Sequence, residues 1–168
     1  YIMNEAHLHM VVNHFPIIGM ILGLIILLGG LFLKNNTVKN VSYFLIIIAA
    51  VFSAISMATG EGAEELVENM PEVGKKIIHI HEEAAEKFAI VAYLSGIVSL
   101  IGLYMNIKQK AKANLVSYVV VVLAVVAAFL SKSVGTTGGE VRHTEIRENG
   151  TSNQMNTSSE HEDNEHEE

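Results

Sequence analysis

Two stretches of this chain, 17–33 and 115–130, contain no charged residue at all. A core helix of a water-soluble domain rarely carries more than about a dozen uninterrupted apolar positions, whereas crossing a bilayer takes about 20. Two further apolar runs, 41–58 and 84–104, complete a set of four. Inside lipid the backbone has no water to bond, so each run has to be a helix that closes its own hydrogen bonds. The expected fold is therefore all-α: a membrane-embedded four-helix bundle with spans over about 11–33, 41–58, 84–104 and 114–131. Short connections after the first and third spans make two antiparallel hairpins.

Between spans two and three lies a polar segment, in which the sequence predicts a short surface helix over Gly62 to Asn69, broken at Pro71. The bundle takes up residues 1–147 as one domain. Residues 148–168 are mostly Asn, Ser, Thr, Glu and His, a composition too poor in apolar surface to offset the entropy of ordering, and are expected to form a disordered acidic tail. No cleavable signal peptide is expected, because the first apolar stretch runs on too long and lacks a small-residue cleavage site.

Composition removes several classes of function. There is no cysteine, so disulfides, thiolate zinc sites and iron–sulfur clusters are excluded, and histidine and carboxylate remain as the strong metal ligands. The net charge is −7, but the segment 160–168 supplies much of it and it says little about a substrate. Without a basic patch interleaved with aromatics, nucleic-acid binding is not expected. Apart from tyrosine, no ionisable side chain interrupts spans one, two or four, and Glu86 and Lys87 stand only at the start of span three. Since a proton relay or ion path needs polar groups at midplane depth, transport through the bilayer is disfavoured.

With four spans, the N-terminus, the middle segment and the C-terminus share one side. The short loops on the other side carry Lys34 and Lys39, and Lys108, Lys110 and Lys112, with no acid among them. That basic density next to span ends favours a cytoplasmic position for the short loops and a periplasmic one for both termini.

All eight histidines fall on the side of the termini. His161 and His166 belong to the tail and are expected to be solvated. His7 and His14 are two helical turns apart and share a face, with His14 nearest the apolar layer; His9 and Asn13 share a neighbouring face. His79 and His81 point to nearly opposite sides of a helix, and His81 leads along its face to Ala85, Phe88 and Ala92, so His81 is the inward one. A single boundary histidine is ordinarily interfacial and solvated. Here several His and Glu from the ends of four helices reach one layer, which points to a ligand or redox site.

The motifs carry a resemblance. Leu8-His9…Asn13-His14-Phe15-Pro16-Ile17-Ile18-Gly19, Thr59-Gly60-Glu61…Glu64-Glu65, His81-Glu82…Ala85 and Gly138-Gly139-Glu140-Val141-Arg142-His143…Glu145-Ile146-Arg147 together resemble a widespread family of uncharacterised bacterial four-helix inner-membrane proteins. The opening is also similar to a broader family of membrane proteins that begin His-Pro-x3-His-Phe-Pro, with Met10 standing where that pattern has its first proline. The resemblance implies the bacterial inner membrane as the location and singles out His9, Asn13, His14, Thr59, Glu61, Glu64, His81, Glu82, Gly139, Arg142 and His143. It implies no activity.

From these residues the leading expectation is a b-type haem near the outer face. Its axial ligands are His14 and His81, Gly19 leaves room for the ring, and Arg142 pairs with a propionate. Quinol or a periplasmic redox protein is the expected partner. The alternative is a zinc or copper site drawn from His9, His14, His81, His143, Glu61 and Glu64. A third reading makes the bundle an accessory subunit of a larger membrane complex, docking a basic surface through its acidic face.

Overall fold

The computed structural model describes residues 4–68, 70, 73–143 and 146–147, and for Arg142 the backbone alone. These residues form five helices: α1 (Glu5–Val12), α2 (His14–Phe32), α3 (Asn36–Val67), α4 (Lys75–Ile107) and α5 (Ala113–Arg142). No strand occurs among the described residues. Helices α1 and α2 meet at a single turn residue, Asn13, and make up the first of four helical lengths long and apolar enough to cross a membrane. The bundle is cyclic, α2 against α3, α3 against α4, α4 against α5 and α5 back against α2. Helices α2 and α4 thus stand on one diagonal, α3 and α5 on the other.

Each helix overruns its apolar run. At 1.5 Å per residue the 32 residues of α3 extend about 48 Å, against a hydrocarbon thickness of about 30 Å. The surplus forms a polar collar on the side of the termini. One expectation is corrected here: the surface helix over Gly62 to Asn69 is not separate, because α3 runs unbroken to Val67. Thr59 and Gly60, just past the expected end of span two at 58, are helical as well, and the Thr59 hydroxyl donates to the carbonyls of Ile55 (3.0 Å) and Ser56 (3.1 Å) on its own helix. The glycine-rich stretch 135–139 likewise remains inside α5. The tail expected to be disordered lies outside the described residues.

Small residues set the helix spacing, as they do where lipid provides no hydrophobic drive to association. A Cβ placed on Gly19 would lie 2.7 Å from the Cβ of Ala49, and one on Gly96 would lie 2.6 Å from that of Ala50, so α2 and α4 both lie tight against α3. The ring of Tyr43 passes over Gly102 and its hydroxyl reaches Ser117 Oγ at 2.6 Å, joining α3, α4 and α5 in one buried contact. Ser42 donates to the Gly23 carbonyl at 2.7 Å and ties α3 to α2. At the opposite end from the collar, Lys39 Nζ donates to Asn114 Oδ1 (2.9 Å), and Asn106 donates to the Asn36 carbonyl (2.9 Å) and Asn40 Oδ1 (2.6 Å). The large apolar residues that remain exposed along the bundle, such as Ile25, Phe44, Ile97 and Phe129, face the lipid.

Candidate functional site

Two histidines of the collar are turned into the bundle, and each is held by a neighbouring helix. His9, on α1, places Nδ1 3.0 Å from the Ser56 carbonyl and 3.2 Å from Thr59 Oγ1 on α3. A carbonyl only accepts, so Nδ1 carries the proton and Nε2 keeps the lone pair. His81, on α4, places Nδ1 3.1 Å from Thr137 Oγ1 on α5. The Ser133 carbonyl only accepts and lies 2.9 Å from the Thr137 hydroxyl; with the hydroxyl hydrogen directed there, the Thr137 oxygen accepts from His81 and the same tautomer follows. Both rings are half-buried. They stand on α1 and α4, close enough for the charge of one to act on the other.

Glycines provide the seats. A Cβ on Gly138 would stand 3.0 Å from His81 Cε1, and one on Gly60 would stand 3.6 Å from His9 Cε1. Two residues along, the Glu5 carboxylate fills the space that a side chain on Gly62 would need, which fastens α1 to the end of α3. One turn from His9, Asn13 Oδ1 is buried and makes no hydrogen bond. A buried acceptor without a donor calls for a bound group or water beside it.

The other candidates are placed differently. His14 is exposed, and its Nδ1 lies 3.3 Å from the Met10 carbonyl one turn back in the chain. His79 is 70% exposed and faces Glu82 (3.7 Å) and Glu83 (3.4 Å) on its own helix, the outward phase expected of it. Glu61 and His143 are exposed. Glu64 reaches across from α3 so that its carboxyl shares a hydrogen bond with Glu82 on α4. The Arg142 side chain lies outside the described residues. Among the described residues no three His, Asp or Glu side chains converge as a metal-binding group. Two shallow clefts, one lined by Leu24, Val125, Ala128 and Phe129 and the other by Met57, Glu86, Ala89, Ile90 and Tyr93, open to the lipid side, and neither includes a histidine.

The sequence reading passed over Thr137, Gly138 and the role of Gly60. A signal for them exists: the pair Thr-Gly occurs at 59–60 and again at 137–138, on the second helix of each hairpin.

Set against known proteins, residues 5–145 match a family described as "Predicted membrane protein (DUF2231)". No curated protein and no solved structure matches the chain.

Proposed function

The chain belongs to the DUF2231 family of predicted membrane proteins, and from that premise we propose that it carries a redox metal centre at the collar, held by the imidazoles of His9 and His81. The observation behind this reading is the pair itself: two half-buried rings on α1 and α4, each with Nδ1–H bonded to a neighbouring helix and Nε2 left with its lone pair for a metal. Metal-ligating histidines are oriented in this way, the second nitrogen fixing tautomer and ring direction.

Haem iron is the first choice because a porphyrin brings four nitrogens and asks the protein for two axial ligands, which is the number of inward imidazoles here. His9 therefore takes the place that sequence reasoning gave to His14. A haem so held would pass single electrons, with quinol or a periplasmic redox protein as its partner. The protein's own part is to hold the rings, to close the collar with α1 pinned by Glu5 on Gly62, and to exclude water on the bundle side. Copper is the second reading, favoured by the packing: the His81 ring lies against Gly138 of α5, and a lone ion needs far less room than a porphyrin. Zinc is less well served, since it wants about four ligands.

The test is a visible spectrum and metal analysis of the protein purified from its native membrane. A Soret band with sharp reduced α and β bands supports haem, and copper without a Soret band supports the second reading. A protein with neither overturns the proposal.

The same reading puts the collar in the periplasm of a bacterial inner membrane. It rests on the two acid-free lysine loops at the other end, Lys34 and Lys39 with Lys108, Lys110 and Lys112. A reporter active only in the periplasm is expected to work after Glu168 and to fail at Asn36 or Lys110. The reverse pattern places the histidines on the cytoplasmic face.

A further inference from the structure

We infer that the molecule is two copies of one helical hairpin, related by rotation about the membrane normal, and that Thr59 and Thr137 are equivalent residues, each positioning one histidine of a pair on that axis. Shifted by 72 positions, so that His9 meets His81, the buried residues Pro16, Met20, Gly23, Leu27 and Gly30 fall on Phe88, Ala92, Ser95, Ser99 and Gly102, all buried as well. Shifted by 78, so that Thr59 meets Thr137, buried Ser42, Ala49 and Ser53 fall on buried Val120, Ala127 and Ser131. Periodicity alone aligns any two buried helix faces at some register.

The chemistry repeats too, the histidines 72 positions apart, the hairpin turns 75 and the threonines 78, so that each helix of the second hairpin is three residues longer between these points. Thr59 donates to the carbonyls three and four residues back, Ser56 and Ile55; Thr137 donates to those three and four back, Val134 and Ser133. Each threonine is followed by the glycine on which its histidine ring rests. The hairpin turns agree too. The first helix of each ends with a non-glycine residue in the left-handed region, Lys34 at φ 50° and Gln109 at φ 49°. In each, the next N–H returns to the carbonyl five residues back, Asn35 to Gly30 and Lys110 to Met105, both at 2.9 Å, a Schellman closure without its customary glycine. Parallel repeats about the membrane normal place a shared site on the axis between the halves.

The halves are not identical, and the difference sharpens the inference. His9 has two acceptors for Nδ1–H, the Ser56 carbonyl and Thr59, whereas among the described residues His81 has Thr137 alone. Thr137→Val leaves His81 without that acceptor, while Thr59→Val leaves His9 with its carbonyl.

This rests on the metal-centre reading for its purpose, but the positioning is tested without metal. In full-length, metal-free protein in detergent, imidazole 15N shifts report the tautomer of each ring. Both His9 and His81 are expected as Nδ1–H. Thr137→Val is expected to release His81 to the Nε2–H form that a free imidazole favours, Thr137→Ser to retain Nδ1–H, and Thr59→Val to leave His9 as it was. Different tautomers in the unsubstituted protein, no response of His81 to Thr137→Val, or equal loss with Thr137→Ser overturns the inference. Hemin titration of the same variants then examines the metal reading by itself: Thr137→Val is expected to weaken binding about 10–100-fold, Thr59→Val by less. If hemin does not bind while the tautomers behave as expected, the haem reading falls and the twin positioning stands.

Discussion

Replacing His81 with alanine is expected to strip the metal centre from the protein completely, and His9→Ala to do the same, while His14→Ala and His79→Ala leave it in place. The asymmetry follows from what each ring touches. His9 and His81 are half-buried and bonded through Nδ1 to a neighbouring helix, and in the proposed centre each would supply one of two imidazoles. Removing either takes away half of the protein's ligation and leaves a hole at the axis of the collar. Among the described residues His14 bonds to the Met10 carbonyl one turn back in the chain, and His79 to carboxylates on its own helix. The measurement is haem or copper per protein for the four variants, with helicity and melting temperature to show that each still folds. A site built instead from His143, Glu61 and Glu64 has a different signature, in which His143→Ala and Glu61→Gln weaken metal as much as His81→Ala does. Retention of full metal by His9→Ala with loss in His14→Ala restores the pair that the sequence suggested.

The choice between His9 and His14 shows where sequence reasoning stops. The four spans were legible because lipid leaves the chain no alternative: long charge-free runs become helices. The phase of span three was legible as well, since the alternation at His79 and His81 fixes which one follows the apolar stripe. The collar was not. Thr59-Gly60 and the glycines of 135–139 look like helix ends on propensity, yet the helices continue to Val67 and Arg142. The threonines bond back to their own helices, and the missing Cβ atoms at Gly60 and Gly138 admit imidazole rings. Those glycines act as packing seats for side chains from another helix, a role that helix propensity does not encode and that only the repeated Thr-Gly pair hints at. For the same reason depth alone favoured His14: it is nearest the apolar layer, but α1 turns His9 towards Thr59 and leaves His14 on the outside.

At the opposite end of the bundle, the same substitution at two adjacent glycines is expected to change stability in opposite directions. A Cβ on Gly30 would stand 2.8 Å from Lys39 Cγ, 2.9 Å from its backbone nitrogen and 3.3 Å from its Cα. The Cγ is part of a side chain that can shift, but the nitrogen and Cα belong to the first turns of α3, so Gly30→Ala has to drive α2 and α3 apart. That movement also pulls on the Lys39–Asn114 bond, which ties the first hairpin to α5. Overpacking of this kind costs about 1–3 kcal/mol, partly offset by about 1 kcal/mol from the better helix propensity of alanine. A net loss is therefore expected. At Gly29 an added Cβ meets nothing within 4 Å, so Gly29→Ala keeps the propensity gain and raises stability by up to about 1 kcal/mol. Thermal unfolding of both variants in one detergent reads the sign directly, with the unsubstituted protein melting between them. Should Gly30→Ala melt at or above Gly29→Ala, then α2 and α3 are not in contact at Gly30 and Lys39, and the packing described for that end of the bundle is wrong.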